Sequence, residues 1–298
     1  MKQLVVLSGK GGTGKTSVTA AFAHLAFAKG SYRAVLADAD VDAANLELVL
    51  APHKLETHDF TGGSTAIIDQ TRCSSCGRCV EVCRFDAVVE EDSTFNIYPV
   101  ACDGCAACVY QCPEKAIQMQ EQIAGKWFRS ESRFGPLFHA ALRPAQDNSG
   151  KLVTLVKQHA RLLALDEDRD LVLVDGPPGI GCPVISAVTG ADLALIVAEP
   201  SRSGVHDMQR ALQTTDHFNI RSMVCINKAD LYPTGSEEIE AHCHENGIQF
   251  AGQIPFDSVV TEAMVQGQPV TSFQPESNVS LALKAVWSQV TSAVEETS

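Results

Sequence analysis

No stretch of the 298 residues approaches the roughly 18–20 consecutive apolar positions that a membrane-spanning helix needs. Basic charge is also in short supply. There are 23 Lys and Arg against 36 Asp and Glu, a formal net charge of −13. A surface of that sign repels phosphate backbones and anionic headgroups, so neither nucleic acid nor a membrane surface is expected as the main partner. The opening residues, MKQLVVLSGKGG, lack a long apolar region with a cleavage site. No signal peptide is therefore expected, and the cytoplasm is the expected location. The helix expected from Leu281 to about Val294 lacks the basic amphipathic face of a membrane anchor. With 45% apolar and 20% charged residues, the chain can bury one large core, with or without a smaller insertion.

Cysteine is not scarce. There are eleven, and eight of them fall between Cys73 and Cys112. They form two runs, CSSCGRCVEVC and CDGCAACVYQC, each C-x2-C-x2-C-x3-C, with Pro113 after the second. In a chain of cytosolic character, such density points to metal ligation rather than disulfides. The spacing resembles that of bacterial two-cluster ferredoxins. That resemblance implies two 4Fe–4S clusters, with the fourth cysteine of each run serving the other cluster. One set is then Cys73, Cys76, Cys79 and Cys112, and the other Cys102, Cys105, Cys108 and Cys83. Arg84 stands where proline usually follows the first run. Zinc is the alternative reading of the C-x2-C pairs. Over residues 61–120 four Lys and Arg face eight Asp and Glu, a net of −4. An acidic redox module of this kind is expected to meet a basic patch on its partner.

At the N-terminus an apolar, β-branched run, Lys2 to Leu7, reads as a buried parallel strand. It leads into Gly9-Lys10-Gly11-Gly12-Thr13-Gly14-Lys15-Thr16-Ser17, which fits G-x-x-x-x-G-K-T, the P-loop. Its glycines let backbone N–H groups face phosphates, and the helix after it presents its N-terminus to the same charge. Lys15 is expected at the β- and γ-phosphates and Thr16 on Mg2+. The helix, expected to run to about Lys29, carries Val18, Phe22, Leu25 and Ala26 on its apolar face.

The string KGGTGKT, with the extra Lys10, resembles the deviant Walker A motif of the ParA/MinD/Mrp group of P-loop ATPases, which includes the nitrogenase iron protein. The resemblance implies ATP and ADP as ligands and an ATP-dependent homodimer, in which Lys10 reaches the partner's nucleotide. Asp38-Ala39-Asp40-Val41-Asp42, at a strand end, resembles switch I. Asp40 would orient the attacking water, Asp38 would lie near Mg2+, and Asp42 is a weaker third candidate. Asp175-Gly176-Pro177-Pro178-Gly179, after the apolar Leu171–Val174, resembles Walker B and switch II, with Asp175 on Mg2+ through water. Asn227 matches a purine-binding position, and Gln253-Ile254-Pro255-Phe256-Asp257 resembles the adenine-pocket segment, Pro255 included. Asn227-Lys228-Ala229-Asp230 also satisfies the N-K-x-D guanine signature, in conflict with an ATP assignment. Cys182 stands seven residues after Asp175, where the nitrogenase iron protein has a cluster ligand, but its second ligand has no counterpart here.

Strands expected near residues 3, 34, 172, 194, 224 and 251, with helices between them, give an α/β fold. The expected organisation is a mostly parallel-sheet P-loop ATPase (1–60 and 121–298) with an α+β ferredoxin-like insertion (61–120). Residues 55–68 read as a connection. A short hairpin is expected at Ala87–Val89 and Phe95–Tyr98, and a helix start at Asn148–Lys151. Trp127, Phe128, Phe134, Leu137 and Phe138 read as a packing seam against the insertion, and His139 as a core or interface histidine rather than a ligand. The expected function is nucleotide-gated electron transfer to a redox partner. The rivals are a carrier that passes clusters to an acceptor protein and a ParA-type spatial organiser.

Overall fold

A computed structural model describes residues 1–28, 30, 32–143 and 149–296. Lys29, the expected end of the first helix, lies outside those residues, as does Asn148, the first residue of the helix start expected at Asn148–Lys151. The chain opens as β1 (Lys2–Ser8), α1 (Lys15–Ala28), β2 (Ala34–Asp38) and the short α2 (Leu46–Leu50). A sixteen-residue strand, β3 (His53–Ile68), leads to α3 (Arg78–Val82), β4 (Val88–Glu91), β5 (Thr94–Ile97) and α4 (Ala107–Gln111). A second long strand, β6 (Ile117–Ser132), turns through two residues into β7 (Gly135–Leu142). The alternation then resumes with α5 (Ser149–Asp166), β8 (Leu171–Pro178), α6 (Cys182–Val188), β9 (Leu193–Ala198) and α7 (Arg202–His217). After these come β10 (Ser222–Asn227), α8 (Pro233–Glu245), β11 (Gln249–Ile254), α9 (Val259–Val265), α10 (Val270–Phe273) and α11 (Asn278–Glu296).

Nine strands form one sheet in the order β11-β10-β9-β1-β8-β2-β7-β6-β3. The six expected strands are there, and each contact among them is parallel. β7 also lies parallel to β2, with Leu36 opposite Leu137. The two-residue link between neighbours β6 and β7 makes that pair a hairpin. β3, β6 and β7 were not among the expected strands, and the 55–68 connection is instead most of β3.

The central strands have no polar face. Leu4–Val6, Val35–Ala37 and Val172–Val174 are fully buried, as expected of parallel strands covered by helices on both sides. α1 is alanine-rich and largely buried, with Phe22 and Trp287 of α11 in ring contact at 4.8 Å. Burying side chains of that size stabilises by about 2–3 kcal/mol each.

The chain divides into two compact units. One comprises Met1–His58, Trp127–Ala141 and Ser149–Ser298; the other comprises Asp59–Lys126, together with Leu142 and Arg143. The aromatic residues expected to form a seam pack within the first unit. Phe134 joins the core of α1 and β1, and Trp127 stacks between His58 and His159 at 4.1 and 4.2 Å. The smaller unit has its own core of Ala66, Ile68, Cys79, Val88, Phe95 and Ile117. Its hairpin pairs Val88 with Ile97.

Candidate functional site

A cavity of about 880 Å3 opens at the C-terminal ends of β1, β2, β8 and β10, where parallel α/β sheets bind ligands. Gly11, Gly12, Gly14, Lys15, Thr16 and Ser17 line one wall, Asp40 and Asp42 another, and Asn227, Lys228, Pro255 and Phe256 a third. Gly14 has φ +97°, and a Cβ there would collide with the Asn227 amide. Only glycine fits this close approach. The Asn227 amide donates to the Thr13 carbonyl at 2.7 Å, tying the phosphate loop to the end of β10. Thr13 itself is buried, does not line the cavity, and its hydroxyl has no hydrogen-bond partner in the structure.

Asp175 lies in the buried part of β8, opposite Asp38 of β2. It accepts from the Thr16 hydroxyl at 2.7 Å and from the Thr19 hydroxyl at 3.0 Å. Burial is the main cause that raises its pKa, to about 6. Asp38 is also pushed well above the ordinary carboxylate range, by burial and then by Asp175. Two carboxylates at adjacent strand ends carry a charge conflict that a divalent cation would relieve. Asp38 does not line the cavity; its two oxygens accept the Asp40 and Leu46 N–H groups at 3.1 and 3.0 Å. It shapes the loop that presents Asp40. Lys15 is 6% exposed, and burial lowers its pKa against the opposing pull of Asp175, Asp40 and Asp38. Burial raises Asp40, with Lys15 opposing. Gly179 donates its N–H to the Ser8 carbonyl at 3.0 Å, so the loop after Asp175 is anchored to the start of the phosphate loop.

Lys10 is outside this cavity and contacts Glu199, Ser201 and Ser203. Glu199 was not singled out from sequence, although a carboxylate just past a parallel strand is the same signal that marked Asp38 and Asp40. Asp230, the guanine-reading position of N-K-x-D, accepts the Phe256 N–H at 2.6 Å and is not part of the cavity wall. Cys182 opens α6 and is exposed. His139 is buried between Ser130 and Glu47, at 2.9 and 3.2 Å, as a core histidine.

In the smaller unit the cysteines sort into two sets. Cys73, Cys76, Cys79 and Cys112 line one cavity, and Cys83, Cys102, Cys105 and Cys108 line the other. The two runs repeat one backbone path. α3 and α4 each begin after a left-handed residue, Gly77 and Ala106, and each ends at an extended cysteine, Cys83 and Cys112. Asp86 and Lys115, three residues beyond those cysteines, are both left-handed at φ +50°. The Ala87 and Ala116 N–H groups each point at the Sγ of the cysteine four residues back, both at 3.3 Å. Burial raises Cys79 and Cys108 above the ordinary thiol value. Among the described residues, no three His, Cys, Asp or Glu side chains are grouped so as to hold a single metal ion.

Residues 4–270 match the model of the CobQ/CobB/MinD/ParA nucleotide-binding domain. An uncharacterized protein of Methanocaldococcus jannaschii, MJ0578, is 35% identical over 226 residues, spanning 76% of this chain and 78% of that protein. The septum site-determining protein MinD of Bacillus subtilis is 25% identical, over 95% of this chain and 86% of that one. Among solved structures, MinD complexed with Mg-ADP from Pyrococcus horikoshii OT3 shares the fold, with a TM-score of 0.59 and 18% identity. That match covers 100% of this chain and 98% of that chain. The chain belongs to the CobQ/CobB/MinD/ParA nucleotide-binding family and is a P-loop ATPase of the MinD/ParA type.

Proposed function

We propose that nucleotide state in this ATPase acts on two 4Fe–4S clusters held by residues 61–120, an inserted ferredoxin-like domain, and so gates electron delivery to a partner protein. The observation that supports this reading most is the sorting of eight cysteines into two sets of four, in the grouping that ferredoxin spacing implies. Bound there, a 4Fe–4S cluster supplies a one-electron store. The N–H groups of Ser75, Ala87 and Ala116 face the sulfurs of Cys73, Cys83 and Cys112 and would stabilise them as thiolates.

On the nucleotide side, Lys15 and the glycine-rich backbone hold the phosphates, and Thr16 and Asp175 hold Mg2+. Asp40 orients water, and Lys10 completes the site of a second copy in an ATP-dependent dimer. Asp38 ties the Asp40 loop to the start of α2. From α2, Glu47 reaches Lys54 on β3 at 3.5 Å and His139 on β7 at 3.2 Å. A shift of the loop on binding ATP therefore pulls on β3, the strand that continues into residues 61–68.

A carrier that passes clusters to an acceptor protein is the second reading, favoured by the exposure of Cys76 and Cys105, one in each set. Iron and sulfide analysis of anaerobically purified protein tests the shared premise. About eight irons per chain are expected, with Cys76→Ser and Cys105→Ser each losing about half. Stoichiometric zinc without sulfide would overturn both readings. Release of iron to an apo-acceptor during ATP turnover would decide for the carrier.

A further inference from the structure

The second lysine of the phosphate loop is held by its own chain. Lys10 Nζ lies 2.9 Å from one oxygen of Glu199 and 3.3 Å from each of the Ser201 and Ser203 hydroxyls. The other Glu199 oxygen takes Lys228 Nζ at 3.2 Å, and Lys228 also donates to the Gly12 carbonyl at 3.1 Å. Glu199 is firmly seated. Ser201 caps α7 by accepting the Gly204 N–H, and any side chain at Gly204 would run into the Glu199 carbonyl.

We propose that Glu199 is a positioning residue for Lys10, a latch that keeps the lysine on its own subunit until ATP draws two copies together. This rests on the reading that Lys10 serves the nucleotide of a second copy. Three features make the cradle releasable. Lys10 and Glu199 keep 32% and 23% of their side chains exposed, so the pair is weak enough to exchange. When Lys10 leaves, Glu199 is still paired with Lys228, and no carboxylate is stranded, which is the usual cost of breaking such a contact. The two serine hydroxyls retain water as a partner. The lysine thus trades one carboxylate for the denser negative charge of a triphosphate.

The test measures self-association of the full chain by sedimentation velocity, with Mg2+ and a non-hydrolysable ATP analogue. Glu199→Gln should tighten the ATP-dependent dimer by about two- to tenfold, the range expected for a partly exposed ion pair lost from each of two subunits. Affinity for ADP in the monomer should stay unchanged. Ser203→Ala, which removes a Lys10 contact and a 3.4 Å contact with the Ser201 hydroxyl but keeps the Ser201 cap on the Gly204 N–H, should act in the same direction more weakly and covers the case in which Glu199→Gln fails to fold. At protein concentrations where Lys10→Ala still self-associates, adding Glu199→Gln should change nothing, a coupling that a merely structural role would not produce. A looser or unchanged dimer in both Glu199→Gln and Ser203→Ala, with Lys10→Ala unable to dimerise, overturns the latch and leaves the dimer reading standing. A Lys10→Ala protein that dimerises like the parent overturns both.

Discussion

Asp230 spends its carboxylate on the backbone of Phe256, accepting that N–H at 2.6 Å. The bond joins the N-K-x-D turn to the segment after β11, and the acid lies outside the cavity wall, away from a base bound there. Asn227 keeps its carbonyl oxygen free, because only its amide is engaged with Thr13. A free acceptor suits the exocyclic amine of adenine. ATP should therefore compete for the site at least about tenfold better than GTP, a difference that one unmatched buried polar group can supply. Asp230→Asn should weaken both nucleotides together. A switch of preference in that variant, read by competition against a fluorescent nucleotide, would contradict the assignment.

The conflict between Asp38 and Asp175 predicts a trade between stability and function. Both acids are raised first by burial, Asp38 then by Asp175 and Asp175 by Asp40. A folded-state pKa above the unfolded value means that stability is lost as pH rises through the window between them, here from about 4 to about 6 for Asp175. Above it the nucleotide-free protein bears the full cost. Asp175→Asn should stabilise the nucleotide-free protein at pH 7.5 by about 1–2 kcal/mol in urea unfolding. The same change should abolish Mg2+-dependent tightening of ADP in calorimetry.

His139 predicts a pH dependence of opposite sign. Burial lowers its pKa to about 4, even with Glu47 beside it, so the ring sits neutral between Ser130 and Glu47. The unfolded chain takes up the proton first. Stability from this group is complete above the ordinary histidine value of about 6.5 and is lost as pH falls towards 4. Because Asp175 works against it over part of that range, the informative quantity is the difference between the parent and His139→Gln. That difference should shrink by about 2–3 kcal/mol between pH 7 and pH 4.5. A flat difference would mean that His139 is already charged at neutral pH.

The parallel strands and the phosphate loop were legible because each carries a local signature. Leu171–Val174 is continuously apolar, and the spacing of Gly9, Gly14, Lys15 and Thr16 admits few other uses. β3 was not legible. His53–Asp59 is exposed on both faces, and Gly62-Gly63 breaks any alternation, so only its pairing in the sheet makes it a strand. β6 mixes exposed and buried positions without regular alternation, whereas β7 is a mostly buried run, and the aromatic residues read as a seam are partly their inward faces. At the site, residue types pointed to Lys15, Thr16, Asp40 and Asp175, but no spacing rule says where a lysine rotamer points. Lys10 was expected to reach a second copy, and on the isolated chain it lies against Glu199. Asp38 was expected near Mg2+; it lies opposite Asp175, and its oxygens accept two backbone N–H groups that no motif foretells.

The most direct test of the coupling between nucleotide and clusters is an EPR-monitored redox titration of the anaerobic protein in three states: nucleotide-free, with Mg-ADP, and with a non-hydrolysable ATP analogue. The account predicts two low-potential 4Fe–4S signals whose midpoint shifts by tens of millivolts with the ATP analogue, and Lys15→Ala should retain both signals and lose the shift. Identical midpoints in all three states would contradict it.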